Sequence, residues 1–218
     1  MKPLIELIEQ SKSIIYDFDG VILNSVDVKT GAFAEIYRDC DSSTLKLILK
    51  HHKTYEGISR YKKFHYYENF ILKSNCNEER IEELAKRFHE IVFNKVVASD
   101  YIYGAKEFLI KHSKDKKQFI CTGTPEVEIL QIVDRLKIST FFDEIYGSPK
   151  TKEVIIDIIL NNYELESKDI LFFGDALTDY NAANSTGCKF IGIKNKKGTH
   201  PFPPNTLVIN SFKDLENG

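Results

Sequence analysis

Ser13-Ile14-Ile15-Tyr16-Asp17-Phe18-Asp19-Gly20-Val21 decides how the rest of the chain reads. Its apolar run is too short for a helix, and near-continuous apolarity over so few residues suits a strand buried on both faces of a parallel sheet. Two acids follow at once. Residues two apart on an extended chain point to the same side, so Asp17 and Asp19 converge if extended geometry persists past Tyr16. Gly20 then lets the chain leave in a conformation that other residues resist.

Three more runs of this kind lie further along: Gln118-Phe119-Ile120-Cys121, Ile170-Leu171-Phe172-Phe173 and Lys189-Phe190-Ile191-Gly192-Ile193. Glu144-Ile145-Tyr146 and Leu207-Val208-Ile209 add two further strands. Helical patterns fall between them. Thr124-Pro125 reads as an N-cap followed by proline at the first helical position, opening a helix through about Leu136. Val154, Ile155, Ile158 and Ile159 form a second apolar stripe, and Thr178 caps a third helix that stops at Gly187. Strand and helix alternating in this way predict a doubly wound α/β fold with a mostly parallel sheet.

The stretch between Ser25 and Ser99 breaks the alternation. It holds no convincing buried strand but several amphipathic segments. The clearest follows Asn77, where Ile81, Leu84, Ala85, Phe88, Ile91 and Val92 share one face and Glu78 and Glu79 sit in the first turn. The expectation is an α/β core over residues 1–24 and 99–218 with an all-helical insert over 25–98. No repeat, low-complexity tract or long linker separates them, so the two are expected to pack together.

A formal charge of −2 and a pI near 6.3 give no global electrostatic reason for nucleic acid or an anionic membrane as partner. No apolar run approaches the roughly 18 residues of a membrane span. The first residues carry acids where a signal peptide needs an apolar stretch, so a cytoplasmic protein is expected. Cys40, Cys76, Cys121 and Cys188 are scattered without a C-x-x-C pair and read as reduced, mostly buried thiols. The six histidines lack H-x-x-x-H spacing, which argues against zinc.

Acids recur at strand ends. Gly174-Asp175-Ala176-Leu177-Thr178-Asp179 follows the third apolar run, and Thr122-Gly123-Thr124 follows the second. Ligands bind at the carboxyl ends of strands in open α/β sheets, so these segments face one crevice. Two unit charges at ~4 Å repel by roughly 4 kcal/mol at an effective dielectric of 20, so clustered carboxylates need cations to stay ionised. An oxygen-rich site with few protein ligands suits Mg²⁺. Lys150 and Lys152 precede the next helix, and Thr122 offers a hydroxyl beside a helix N-terminus, which favours anions. Carboxylate nucleophile, divalent metal, lysine and anion cradle together describe phosphoryl transfer. Any one of these acids alone reads as a turn or cap residue; their order at successive strand ends carries the inference.

Asp17-Phe18-Asp19-Gly20-Val21, Cys121-Thr122-Gly123, the lysine near Lys152, and Gly174-Asp175 through Asp179 resemble motifs one to four of the haloacid-dehalogenase-like (HAD) superfamily. The helical insert after the first motif resembles the cap of its phosphoglycolate phosphatase and β-phosphoglucomutase branch. The second acid, Asp19, is similar to the phosphatases and phosphomutases of that superfamily rather than its dehalogenases. The resemblance implies a Rossmann-like core and a Mg²⁺-dependent phosphatase of a small phosphorylated metabolite, a monomer or homodimer. It implies that Asp17 attacks phosphorus and that Asp19 protonates the leaving alcohol and then activates water. It also implies that Asp17, Asp175 and the main-chain carbonyl of Asp19 hold Mg²⁺, and that Thr122 and Gly123 hold phosphate oxygens. Asp179 would position the lysine or the metal's waters.

The third-motif lysine falls on Lys150 in an ungapped count back from Asp175, whereas the Gly-Ser-Pro-x-x-Lys form favours Lys152, which is preferred. Gly57-Ile58-Ser59-Arg60 resembles a substrate-specificity loop, with Arg60 as a candidate substrate ligand and a solvated arginine as the competing reading. His51, His52 and Lys53 read as solvated surface. Tyr61, Phe64, Tyr66, Tyr67 and Phe70 read as core of the insert rather than a base-stacking platform. Lys194, Lys196 and Lys197 read as a solvated loop. The alternatives are a phosphomutase, a non-catalytic binding protein on the same scaffold, a phospho-acceptor receiver, and a phosphonate hydrolase using Lys53.

Overall fold

The computed structural model describes residues 2–215. In chain order its elements are α1 (Lys2–Glu9), β1 (Ser13–Tyr16), α2 (Val26–Ile36), α3 (Ser42–Thr54), α4 (Arg60–Tyr66), a π turn (Tyr67–Ile71) and α5 (Glu78–Val97). There follow α6 (Ala105–His112), β2 (Lys117–Pro125), α7 (Glu126–Arg135), β3 (Glu144–Ser148), α8 (Lys152–Asn162), β4 (Ile170–Gly174), α9 (Leu177–Thr186), β5 (Lys189–Ile193) and β6 (Val208–Ile209). The strands form one parallel sheet in the order β3-β2-β1-β4-β5-β6. This is the doubly wound α/β sheet that the alternation predicts.

β1 is central, with Ser13 in register with Lys117 of β2 on one side and Ile170 of β4 on the other. The apolar runs were buried on both faces, as a parallel sheet requires. Ile14 and Tyr16 pack into one layer with Ile120, Leu171 and Phe173, while Ile15 enters the opposite layer with Phe119, Cys121, Ile170 and Phe172. Each such fully buried side chain contributes roughly 1.5–3 kcal/mol relative to exposure. The first layer continues into the helical stretch α2–α5. There the Phe33 ring lies 5.4 Å from Phe64 and 4.7 Å from Phe88, both buried.

Several local expectations change. β2 runs on to Pro125, which takes the N-cap position of α7. Thr124 is therefore the last residue but one of a strand, and its hydroxyl turns to other partners described below. Ala176 rather than Thr178 precedes α9, whose first turn is held by the Asp179 carboxylate accepting from the Ala176 N–H at 3.0 Å. Gly187 does end α9, in the left-handed conformation. On α8 the buried face is Ile155, Ile156 and Ile159, and Val154 is exposed. Within the aromatic stretch Phe64 and Tyr67 are buried, whereas Tyr66 and Phe70 stand exposed. His52, read as a solvated residue, is buried, because it follows buried Ile48 by four positions on α3. Cys121 and Cys188 are buried and Cys40 and Cys76 are half-buried, all as free thiols.

Candidate active site

β1 ends at Tyr16, but the Asp17 N–H still donates to the Phe173 carbonyl of β4 at 2.9 Å, so the strand's direction persists through the first acid. Asp17 is thereby held at the carboxyl edge of the sheet and buried. Gly20 turns the chain away at φ +83°, and a Cβ there would sit 2.0 Å from Asp175 Oδ2. That approach brings the loop after β1 against the loop after β4, and no other residue permits it.

Lys152, the first residue of α8, is buried, donates to Asp179, and lies 3.0 Å from Asp17 Oδ1. Its neighbours raise its pKa despite burial, so it is a permanent cation between two carboxylates. Lys150 points elsewhere: it pairs with Glu126 at 2.8 Å, and both side chains are about one-third exposed. Thr151 between them caps α8, which separates their directions.

Asp17, Asp175 and Asp179 each bring a carboxylate oxygen to within 4.8 Å of the others. Burial, with Asp179 and Asp19 adding repulsion, pushes the Asp17 carboxyl up to about 6 although Lys152 pulls the other way. Burial and the neighbouring acids push Asp175 up as well. Asp17 Oδ1 has no aligned hydrogen-bond donor despite the nearby ammonium. Three hard oxygen donors, one of them unsatisfied, around a net negative charge fit a divalent cation such as Mg²⁺.

Asp19 is placed differently. Burial would raise its pKa, but Lys29 on α2, together with hydrogen bonds from Ser25 (2.6 Å) and Thr124 (3.2 Å), holds it below the ordinary carboxylate value. The Lys29 ammonium also donates to Thr124 Oγ1 at 2.7 Å. Thr122 is buried, and its Oγ1 accepts from the Thr124 N–H at 3.3 Å.

The insert closes over these groups. A Cβ on Gly123 would lie 2.2 Å from the Gly57 carbonyl, and Thr178 donates to the Glu56 carbonyl at 2.8 Å. A cavity of about 60 Å³ remains between insert and sheet, and Asp17, Asp19, Thr122, Gly123 and Asp175 line it from below. Arg60 also borders it, but its guanidinium donates to Glu128 of α7 at 2.5 Å with both side chains buried. His89 of α5 holds the second oxygen of that carboxylate at 2.7 Å. Arg60 therefore ties insert to core.

Asp17, Asp19, Thr122, Gly123, Lys152, Asp175 and Asp179 thus converge, while Lys150 does not join them. Lys29, His52 and Lys63 were not among the expected site residues, yet all three line the cavity. Lys29 lies ten positions beyond Asp19 with no local pattern to mark it. His52 and Lys63 carried a helical signal, since each shares a buried face with Ile48 or Phe64.

The family model for haloacid dehalogenase-like hydrolases matches residues 14–193. A phosphoglycolate phosphatase of Aliivibrio fischeri is 21% identical over 189 residues, covering 84% of this chain and 83% of the relative. The fold is shared with a predicted phosphoglycolate phosphatase of Haemophilus somnus 129pt (19% identity, 95% of this chain and 97% of that one, TM-score 0.71). It is also shared with a β-phosphoglucomutase of Clostridium difficile (20% identity, 94% and 93%, TM-score 0.74). No helix among the described residues is long and apolar enough to cross a membrane.

Proposed function

Because this chain belongs to the haloacid dehalogenase-like hydrolases, we propose that it is a Mg²⁺-dependent phosphatase that hydrolyses a small phosphorylated metabolite in the cytoplasm through an aspartyl-phosphate. The convergence of Asp17, Asp19, Thr122 and Asp175 from separate strand ends on one small cavity, with Lys152 and Asp179 packed against Asp17 behind it, carries this reading. The helical stretch 25–98 serves as its cap.

The unsatisfied Asp17 carboxylate attacks phosphorus, and the P–O bond to the leaving alcohol breaks. Asp19, once it has taken up a proton from solvent, gives that proton to the alcohol; the ionised Asp19 then takes one from the water that attacks the aspartyl-phosphate, which releases phosphate and restores Asp17. Lys29 stabilises the ionised form of Asp19, the form required of the base. Thr122 and the Gly123 N–H hold phosphate oxygens, and Lys152, fixed by Asp179, faces the developing charge. The Asp17 and Asp175 carboxylates and the Asp19 carbonyl, with Asp179 beside them, would hold Mg²⁺, which would supply the remaining neutralisation of the transferring group.

Phosphate release from p-nitrophenyl phosphate and a phosphometabolite panel, with Mg²⁺ or EDTA and with an Asp17→Asn control, tests the proposal. Release is expected to require both the metal and Asp17. Activity that survives Asp17→Asn unchanged would sink the mechanism.

A further inference from the structure

The insert carries a charge imbalance that the reaction does not use. Residues 42–77 hold seven Lys and Arg against two Asp and Glu, whereas the whole chain holds 30 against 32. Both acids are withdrawn from the surface. Glu56, half-buried and within the field of Lys53, lines the cavity wall. Buried Glu68 accepts hydrogen bonds from the hydroxyls of Tyr37 (3.0 Å) and Ser74 (2.9 Å). Lys46, Lys50, Lys53, Lys62 and Lys73 are all exposed, and among the described residues none of their ammonium groups pairs with a carboxylate within 4.0 Å. Exposed acids resume only at Asp41 and Glu78, on either side of the stretch.

The same stretch exposes apolar surface. Leu47, Tyr55, Tyr66 and Phe70 are four of the eleven large hydrophobic side chains that stand exposed among the described residues, and Phe70 is 71% exposed. Helical spacing sorts them into columns beside the lysines. On α3, Lys46, Lys50 and Lys53 share one side, and Leu47, His51 and Tyr55 run next to them at four-residue steps. On α4 and the π turn, Lys62, Tyr66 and Phe70 follow the same step. Rings join the two helices: His51 lies 4.6 Å from Tyr55 and stacks on Tyr66 at 4.2 Å, and Tyr66 stacks on Phe70 at 5.6 Å. An apolar strip thus runs beside the lysine column of α3, with Lys62 at its α4 end. The α3 lysines also border one open groove of about 420 Å³ with Leu49 and Thr54.

Charge selects what this surface meets. A second copy set on it by a two-fold axis would bring two lysine columns together. Single-stranded nucleic acid stacks its bases on open ring faces, but here His51 and Tyr66 are stacked within the column, and the strip includes aliphatic Leu47. An anionic lipid surface matches every part. Apolar side chains and tyrosines enter its interface, lysine stems follow them while the ammonium groups stay among the phosphates, and a cytoplasmic leaflet is negative.

We propose that the outer face of α3, α4 and the π turn is a docking surface for an anionic membrane, with Leu47, Tyr66 and Phe70 entering the headgroup boundary and Lys46, Lys50 and Lys53 meeting lipid phosphates. The attachment is peripheral and reversible, and it stands apart from the phosphatase reading.

Cosedimentation of the full chain with vesicles of phosphatidylcholine alone, or with about 30% phosphatidylserine, tests it. Binding should be at least about tenfold tighter with phosphatidylserine and should collapse at ~1 M NaCl, where screening shortens to roughly 3 Å. Lys46→Gln/Lys50→Gln should weaken it about 25-fold, at about fivefold per lysine near the surface. Phe70→Ser should weaken it about tenfold, in wild-type-like salt dependence. All three side chains are exposed, so both variants should unfold in urea as wild type does. No binding to either vesicle, equal binding to both, or binding that neither variant alters overturns the proposal. A single-stranded oligonucleotide held through Lys46 and Lys50 without vesicle binding overturns it in favour of nucleic acid. A wild-type dimer that Phe70→Ser makes monomeric overturns it in favour of a second copy.

Discussion

On the sheet side of the cavity, Asp17, Asp19, Thr122 and Asp175 all lie at or within three residues of where an apolar run stops. On the insert side, His52 comes from the last turn of α3, Arg60 from the start of α4 and Lys63 from its middle, all separated from those sheet-side residues by more than 30 positions. The sheet fixes its groups by direction. Parallel strands in register deliver their carboxyl ends to one edge, and a single close approach at Gly20 brings two of those edges together. The insert fixes its groups by packing, because Ile48 and Phe64 seek the core and carry His52 and Lys63 inward on the same faces. One half of the site is thus placed by backbone topology, the other as a consequence of burial.

If that contrast holds, the insert should depend on its buried pairs for docking. Glu128→Ala leaves the Arg60 guanidinium without its carboxylate, and breaking a buried pair by removing one partner costs about 3–5 kcal/mol. Urea unfolding should show a loss of about that size. A loss under ~1 kcal/mol would mean that Arg60 reaches water by displacement of the insert, and that the contacts at Gly123 and Thr178 do not hold it. On the sheet side the large effect should fall on rate. Lys152→Met removes the cation between Asp17 and Asp179, and kcat for phosphate release should fall about 10²–10³-fold, the range for one lost electrostatic donor.

Lys29 bridges the two halves, since it leaves α2 to bind Asp19 and Thr124. The folded-state pKa of Asp19 lies below its unfolded value. Such a group contributes stability above the unfolded carboxyl pKa of about 3.9, and that contribution is lost as pH falls through the folded value. Lys29→Met should therefore destabilise the protein by about 1.5–3 kcal/mol at pH 7, where a charged hydrogen bond is lost, and progressively less toward pH 3. Asp17 and Asp175 titrate in both proteins, so the difference between the two stability curves isolates the pair. A difference that stays flat from pH 7 to pH 3 would show that Lys29 acts through packing rather than charge.

The sheet was legible because its signal is local. Six short apolar runs, a glycine after Asp19 and acids at successive ends need no knowledge of what packs where. Capping was less legible. Thr124 and Thr178 both look like caps before helical patterns, yet tertiary partners take their hydroxyls: Lys29 and Asp19 for one, the Glu56 carbonyl for the other. The insert's polar residues were misread for a related reason. His52 stands among His51 and Lys53, and only its spacing from Ile48 marks it as internal. Arg60 looked like a ligand because its loop resembles one, while Glu128, the partner that claims it, lies 68 residues away.

Lys150 supplies the smallest expected effect and the sharpest control on the sheet side. Counting back from Asp175 favoured it over Lys152, and the two differ by only two positions. Their surroundings differ completely: Lys152 is buried against two acids, whereas Lys150 forms a partly exposed pair with Glu126. Pairs of that kind contribute about 0–1 kcal/mol, and the Lys150 ammonium is paired with Glu126 rather than with Asp17 or Asp179. Lys150→Met should therefore change kcat less than about twofold, which corresponds to under ~0.5 kcal/mol in the barrier. A loss in kcat comparable with that of Lys152→Met would require Lys150 to reach the transferring phosphoryl group. The α8 N-cap at Thr151 would then have to rearrange during the reaction, and placement by strand ends alone would no longer explain the site.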